Sequence, residues 1–124
     1  MSDPKPRAKL QQMTPILCVS DFAASLSYYT EKLGFCKAWA WGTPESFGCV
    51  TRNDVEIFLA LNGQGKPGMW ASIFVSDVNA LHEELKANGA NVVRELRDEP
   101  WGTREFHVQD PDGHTFRFGQ SGPE

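Results

Sequence analysis

The feature of this sequence that most constrains its fold is an internal repeat. The triplet VSD occurs at residues 19–21 and again at residues 75–77. Each copy ends a short apolar run and is followed by a helical pattern, a glycine and further strand-like segments. Two triplets could arise by chance, but chance is a poor explanation once the same order of elements follows both. The sequence therefore predicts two consecutive β-α-β-β-β units.

In each unit the Asp of the triplet is predicted to start the helix. The carboxylates of Asp21 and Asp77 can accept backbone N–H groups that have no partner within the helix. The first helix is predicted to run from Phe22 towards Gly34, and the second to end near Gly89, because glycine suits the left-handed residue that follows a helix.

The repeat also predicts the fold class. Each unit would form a small sheet with one face covered by its helix, and the other face must be buried against something else. We predict an α+β fold of two β-α-β-β-β modules forming a curved mixed sheet around a cavity. The expected boundaries are a flexible tail over 1–12 and a single domain over 13–120, with modules at about 13–62 and 69–119.

Charge and cysteine usage exclude several kinds of partner. The formal net charge of −4 argues against nucleic acid, whose binding needs a basic face. The polar start MSDPKPRAKLQQ is neither a signal peptide nor a membrane span, so no membrane partner is expected. Cys18, Cys36 and Cys49 are odd in number and lack CxxC spacing, which predicts neither a disulfide framework nor a zinc knuckle. A reducing, cytoplasmic setting is expected.

Several motifs within the repeat resemble a known family. LGF follows the first helix and DPDG precedes the last strand, as in the vicinal oxygen chelate superfamily of glyoxalases, extradiol dioxygenases and antibiotic resistance proteins. PILCVSD, DVEIFLA and especially EPWGTREFHVQDPDGHTFRF are most similar to the bleomycin resistance branch, and the resemblance covers residues 13–119. It implies a homodimer that exchanges an N-terminal strand, with Pro15 at the exchange point and ligand grooves between the subunits.

The resemblance allows a test for a metal site. Enzymes of this superfamily hold a divalent ion with His or Glu at inward positions of four strands. Counting from the repeated motifs, these positions fall on four residues: Thr14, Phe58, Ala71 and Arg117. Phe and Ala have no donor atom, and the permanent charge of Arg repels a cation. We therefore predict that the protein uses no metal and no other cofactor.

The aromatic residues predict a ligand site instead. Phe58, which takes a metal position, should point into the cavity, and Phe47 should lie beside it if their strands pair. The tryptophans at 39 and 41 project from one face of a strand, where either core packing or ligand contact is possible, whereas the one at 101 lies in a loop and favours a ligand role. The predicted ligand-binding residues are Trp39, Phe47, Glu56, Phe58, Trp101 and Arg117.

Two functions are open at this point. Stacked rings with acids nearby suit a planar cation, and the resemblance implies a bleomycin-type antibiotic that is sequestered without chemistry. The alternative is a metal-free enzyme of the lyase or isomerase kind that uses Glu105, His107 or Arg117 for acid–base work. His114 is expected to be a surface or interface histidine.

Overall fold

The computed structural model describes residues 7–121, which form eight strands, two α-helices and one π-helical turn. The first module contains β1 (Ile16–Val19), α1 (Phe22–Ser27), β2 (Cys36–Trp41), β3 (Phe47–Arg52) and β4 (Val55–Leu61). The second contains β5 (Trp70–Phe74), α2 (Val78–Ala87), β6 (Asn91–Asp98), β7 (Thr103–Gln109) and β8 (Thr115–Ser121). No helix in the described part of the chain is long and apolar enough to cross a membrane.

The two modules have the same topology, which confirms the α+β class and the repeat. Sheet A has the strand order β1-β4-β3-β2, and sheet B has the matching order β5-β8-β7-β6. In each sheet the strand before the helix pairs in parallel with the last strand of its module, and the other pairs are antiparallel. Of the predicted tail, residues 1–6 lie outside the described residues, and residues 7–12 are exposed without regular structure.

Both helices begin as their sequences predict. Asp21 accepts a hydrogen bond from the backbone N–H of Ala24, and Asp77 accepts one from Ala80, each at 3.0 Å. The first helix departs from regular α geometry, because a π-helical turn over Tyr28–Lys32 follows α1. Gly34 then adopts φ +75°, the left-handed conformation that glycine reaches without a steric penalty.

One hydrophobic core serves both modules. The helix-facing side of sheet A and the helix-facing side of sheet B contribute to the same buried cluster. Tyr29 of the π-helical turn meets Phe116 of β8 edge to face, with ring centroids 6.0 Å apart. Arg52 of β3 forms a bidentate ion pair with Glu84 of α2, with both N···O distances at 2.8 Å. Since both helix-covered faces meet this core, the other face of each sheet is left open.

The DPDG turn and the histidine after it join the modules. Asp110 uses Oδ1 to accept the N–H groups of Asp112 and His114, and Oδ2 to accept the hydroxyl of Tyr29 at 2.8 Å. The His114 ring contacts the Cys18 carbonyl at 2.8 Å through Nε2 and the Met69 N–H at 3.1 Å through Nδ1. Of the two expected positions for His114, surface or interface, the surface position is wrong, because the residue is 1% exposed and links strand β1 to the second module.

Candidate functional site

The open face of sheet A carries three aromatic rings in mutual contact. Trp39 pairs with Cys49 across β2 and β3, and Cys49 pairs with Phe58 across β3 and β4, so the two rings face the same side. Phe47 lies beside them on β3. The centroid distances are 5.3 Å for Trp39–Phe47, 5.4 Å for Trp39–Phe58 and 5.5 Å for Phe47–Phe58. We call these three residues the aromatic triad.

A buried thiol and a carboxylate adjoin the aromatic triad. Cys49 lies between Trp39 and Phe58 in the sheet register and is fully buried. Burial, together with the charge and hydrogen bonding of Glu56, raises the pKa of Cys49 to about 11. The Glu56 carboxylate accepts a hydrogen bond from Thr14 at 2.8 Å, so its position on the open face is fixed. The site therefore combines an apolar floor with one oriented acid.

The open face of sheet B carries a second cluster, in which an ion pair lies among aromatic rings. Arg117 of β8 donates Nε and Nη2 to Oε1 of Glu105, at 3.1 and 2.8 Å. His107 approaches the same oxygen with Nε2 at 3.3 Å, and the Trp70 ring meets the imidazole edge to face at 5.7 Å. The Arg117 guanidinium also lies over the Trp101 ring, with Cζ 5.6 Å from its centroid. We call these five residues the guanidinium cluster.

The electrostatics of the guanidinium cluster centre on Glu105. The side chain is 5% exposed, and this burial raises the pKa of the carboxyl. Hydrogen bonds from Arg117, His107 and Thr103 outweigh burial and leave the pKa of Glu105 below its usual value. The carboxylate is therefore held ionised, and its charge is matched by one guanidinium.

The six predicted ligand residues all lie on open faces, but on two different sheets. Trp39, Phe47, Glu56 and Phe58 lie on sheet A, whereas Arg117 lies on sheet B and meets Trp101 of the β6–β7 loop. Each open face is directed away from the core that the modules share. One chain therefore does not bring the two groups to a common cavity.

The position count used for the metal test is wrong at Ala71. This residue pairs with Phe116 and packs against the core, on the helix-covered face. Thr14 lies seven residues before Asp21, and the residue seven positions before Asp77 is Trp70. Trp70 pairs with Thr115. Strand residues alternate between faces, so an error of one position reverses the assignment. Within residues 7–121, no three His, Cys, Asp or Glu side chains form a group that could hold a metal ion.

Glu99, the acid two residues before Trp101, has a structural role. It is buried, and its carboxylate pairs with Arg94 at 2.9 Å and with Arg97 at 2.6 Å. A carboxylate held between two guanidinium groups is not available to a ligand cation. The pairing joins the loop that carries Trp101 to strand β6.

One residue of the guanidinium cluster, Trp70, was not predicted from the sequence. Trp70 is 61% exposed on β5, and His107 is buried beneath it. The repeat contained the signal for Trp70, because the spacing from the VSD triplet to Thr14 in the first module leads to Trp70 in the second. The contact between Trp70 and His107 spans β8, and strand order of this kind is not visible in one sequence.

A separate groove of about 480 Å³ lies between the modules. It is lined by the β3–β4 hairpin and by α2, and none of the predicted ligand residues borders it. Its charged groups include Arg52 and Glu84, which already satisfy each other. We therefore place the candidate site on the open faces.

Solved structures with this fold support the architecture. TioX from Micromonospora sp. ML1 is 21% identical with a TM-score of 0.81, covering 90% of this chain and 98% of TioX. A glyoxalase-related enzyme from Clostridium phytofermentans is 22% identical with a TM-score of 0.77, covering 94% and 99%. At these identities the likeness shows the fold alone.

A bleomycin-binding protein is also similar. The protein from bleomycin-producing Streptomyces verticillus, solved with copper(II)-bleomycin, is 27% identical with a TM-score of 0.74, covering 94% of this chain and 99% of that one. No curated protein sequence matches the chain. The family model described as Glyoxalase/Bleomycin resistance protein/Dioxygenase superfamily matches residues 9–118. The repeated modules, the shared fold and this match agree, and the chain belongs to the glyoxalase/bleomycin resistance protein/dioxygenase superfamily.

Proposed function

We propose that the protein binds a small aromatic cation, such as a bleomycin-type antibiotic, and protects its host by sequestering the molecule without transforming it. The aromatic triad is the observation that carries this proposal. Three rings with centroids 5.3–5.5 Å apart form a continuous apolar surface for a flat guest. No cation of the protein lies over these rings within the described residues.

The triad supplies affinity through stacking, and Glu56 supplies a preference for positive charge. An aromatic contact contributes about 0.5–1.5 kcal/mol beyond area burial, and a cation over a ring contributes about 0.5–2 kcal/mol. Trp39 is 42% exposed, so a ligand can reach its ring. The Glu56 carboxylate adjoins the same apolar surface, where it would face the basic group of a bound ligand.

A second copy of the chain would complete the site. Large exposed aromatic patches are uncommon on monomers and indicate an interaction surface. The tryptophans at 39, 70 and 101 are all substantially exposed on open faces. We propose a homodimer with an exchanged N-terminal strand, in which sheet A of one protomer faces sheet B of the other and the ligand lies between them.

One of the similar structures supports binding as the function. The Streptomyces verticillus relative was solved with copper(II)-bleomycin, and its chain matches this one over nearly its whole length. Sequestration protects a cell when affinity is high and the protein is in excess of the drug. It requires no secretion, and the cytoplasm remains the predicted location.

One observation favours the enzymatic alternative. His107 lies 3.3 Å from Glu105, and an imidazole beside a carboxylate is a common general base. However, Arg117 and Thr103 also occupy this carboxylate, and His107 is buried beneath Trp70. A base with so little access to solvent suits a packing role better than proton transfer, so we place binding first.

Calorimetric titration with metal-free bleomycin tests the proposal, with tryptophan emission as a second signal. Trp39→Ala should weaken binding by about 2- to 30-fold, which corresponds to 0.5–2 kcal/mol. Val93→Ala is the matched control, because Val93 is an exposed apolar residue of an edge strand outside both clusters. Absence of heat and of any emission change at high micromolar drug would refute bleomycin as the ligand.

A further inference from the structure

Arg117 presents an unused edge to solvent. Its Nε and Nη2 atoms both donate to Glu105, whereas Nη1 makes no hydrogen bond to any described residue. The Arg117 side chain is 36% exposed, and Nη1 is accessible to solvent. The guanidinium therefore retains N–H donors that a ligand on the open face of sheet B can reach.

The orientation of this donor edge is fixed before any ligand arrives. Glu105 is buried and holds one edge of the guanidinium, and the guanidinium Cζ lies over the Trp101 ring, 5.6 Å from its centroid. A guanidinium held by an ion pair and placed over an indole ring loses little further freedom on binding. The outward donors therefore form a preorganised and directional contact.

The surroundings of the donor edge favour a flat partner. Trp101 is 60% exposed, and Trp70 reaches over β8 to contact His107. Both indole rings offer apolar surface close to the guanidinium. A ring system placed here would contact indole and guanidinium at the same time.

Charge determines which part of the ligand fits this position. Trp101 already has a cation over its ring, namely Arg117 of the same chain. A positive ligand group would find only N–H donors at the free edge of the guanidinium and could not hydrogen-bond to it, while an oxygen lone pair would accept from these N–H groups. The basic group of the ligand consequently belongs at the aromatic triad and Glu56 rather than here.

We propose that Arg117 binds an oxygen acceptor conjugated to the aromatic system of the ligand, as in an aryl carbonyl or an aryl carboxylate. This rests on the proposed function, because it assigns the second end of the same ligand. Arg117 is then a specificity-determining residue that separates acceptor-bearing aromatics from those with a basic group alone.

Three naphthalene probes test the proposal by calorimetry: 2-naphthamide, 2-naphthoate and 2-naphthylmethylammonium. Arg117→Lys keeps the charge beside Glu105 but loses the planar fork. The variant should weaken the binding of 2-naphthamide and of 2-naphthoate by about tenfold or more, because a hydrogen bond from a charged donor is lost. The affinity for 2-naphthylmethylammonium should change little. Loss for only one of the acceptor probes would still support the proposal and would identify the acceptor.

Arg104→Gln is the matched control. It removes a guanidinium from the same strand pair, but Arg104 lies on the helix side, where it contacts Asn79 at 2.9 Å. A second test uses the wild-type protein alone. It should bind 2-naphthamide about tenfold more tightly than 2-ethylnaphthalene, which lacks the oxygen acceptor. Equal affinities, or equal losses for all three probes in Arg117→Lys, would overturn the inference.

The same titrations separate this inference from the proposed function. If Trp39→Ala weakens the ammonium probe while Arg117→Lys affects no probe, the proposed function stands and the inference is wrong. If the acceptor probes depend on Arg117 but no aromatic cation binds, the inference stands and the cationic ligand is wrong. If no probe binds the wild-type protein, both are wrong.

Discussion

Replacing His114 with leucine should destabilise the protein strongly, although the residue lies outside both clusters. The ring joins the modules through two hydrogen bonds, to the Cys18 carbonyl at 2.8 Å and to the Met69 N–H at 3.1 Å. Since Met69 donates to Nδ1, Nε2 must carry the proton that is donated to Cys18. Leucine removes both partners at a site that is 1% exposed.

The magnitude follows from the groups left behind. A buried backbone donor or acceptor without a partner costs about 1–3 kcal/mol, so two such groups cost about 2–6 kcal/mol. Leucine does not incur the cost of burying the polar imidazole, which offsets part of this penalty. We therefore expect the free energy of unfolding to fall by about 2–4 kcal/mol. Against a total stability of about 5–15 kcal/mol, the loss is large enough to measure by urea denaturation.

Two further variants make the His114 test specific. His82→Leu is the matched control, because His82 is a partly exposed helix residue whose polar partner is Glu95 on the surface, and its loss should stay below about 1 kcal/mol. His114→Gln retains one donor and one acceptor and should recover part of the stability. All curves need one protein concentration, since association would alter apparent stability. A His114→Leu curve within about 0.5 kcal/mol of wild type would refute the proposed link between modules.

Three other predictions follow from single contacts. Asp77→Ala should cost about 0.5–2 kcal/mol in urea denaturation, because the Ala80 N–H loses its cap, and an unchanged midpoint would contradict this. The pKa of Glu105 is lowered in the folded protein, so its ionised carboxylate stabilises the fold above the unfolded pKa of about 4.3. This stabilisation is lost as the pH falls through the folded pKa, and Glu105→Gln should therefore flatten the acid limb of the plot of stability against pH. Iodoacetamide at pH 8 should modify the exposed Cys36 and spare the buried Cys49, whose pKa is raised to about 11. Mass spectrometry measures this, and modification of Cys49 before Cys36 would contradict the prediction.

The features predicted correctly from the sequence depend on local order. The helix caps at Asp21 and Asp77 need only the next few residues to be helical, and the repeat supplied that information twice. The contact between Phe47 and Phe58 needed one hairpin and the alternation of its strands. These relations operate over short distances along the chain, so spacing and residue type are sufficient to predict them.

The features missed depend on packing between distant elements. His114 is buried because the turn before it docks on Tyr29, far away in the sequence. Glu99 is buried because two arginines of β6 turn towards it. Ala71 was placed on the wrong face because a strand assignment fails completely when its register is displaced by one residue. Composition and periodicity do not contain this information.

The two open faces differ in a way that would orient a ligand. Sheet A offers the aromatic triad with an adjacent acid, Glu56, and sheet B offers indole rings with a guanidinium already in place. If both faced one ligand in a dimer, a basic group would be favoured at sheet A and disfavoured beside Arg117. An oxygen acceptor would have the opposite preference. The charges of the protein would thus select one of the two possible orientations, in a hollow whose aromatic walls alone would accept either.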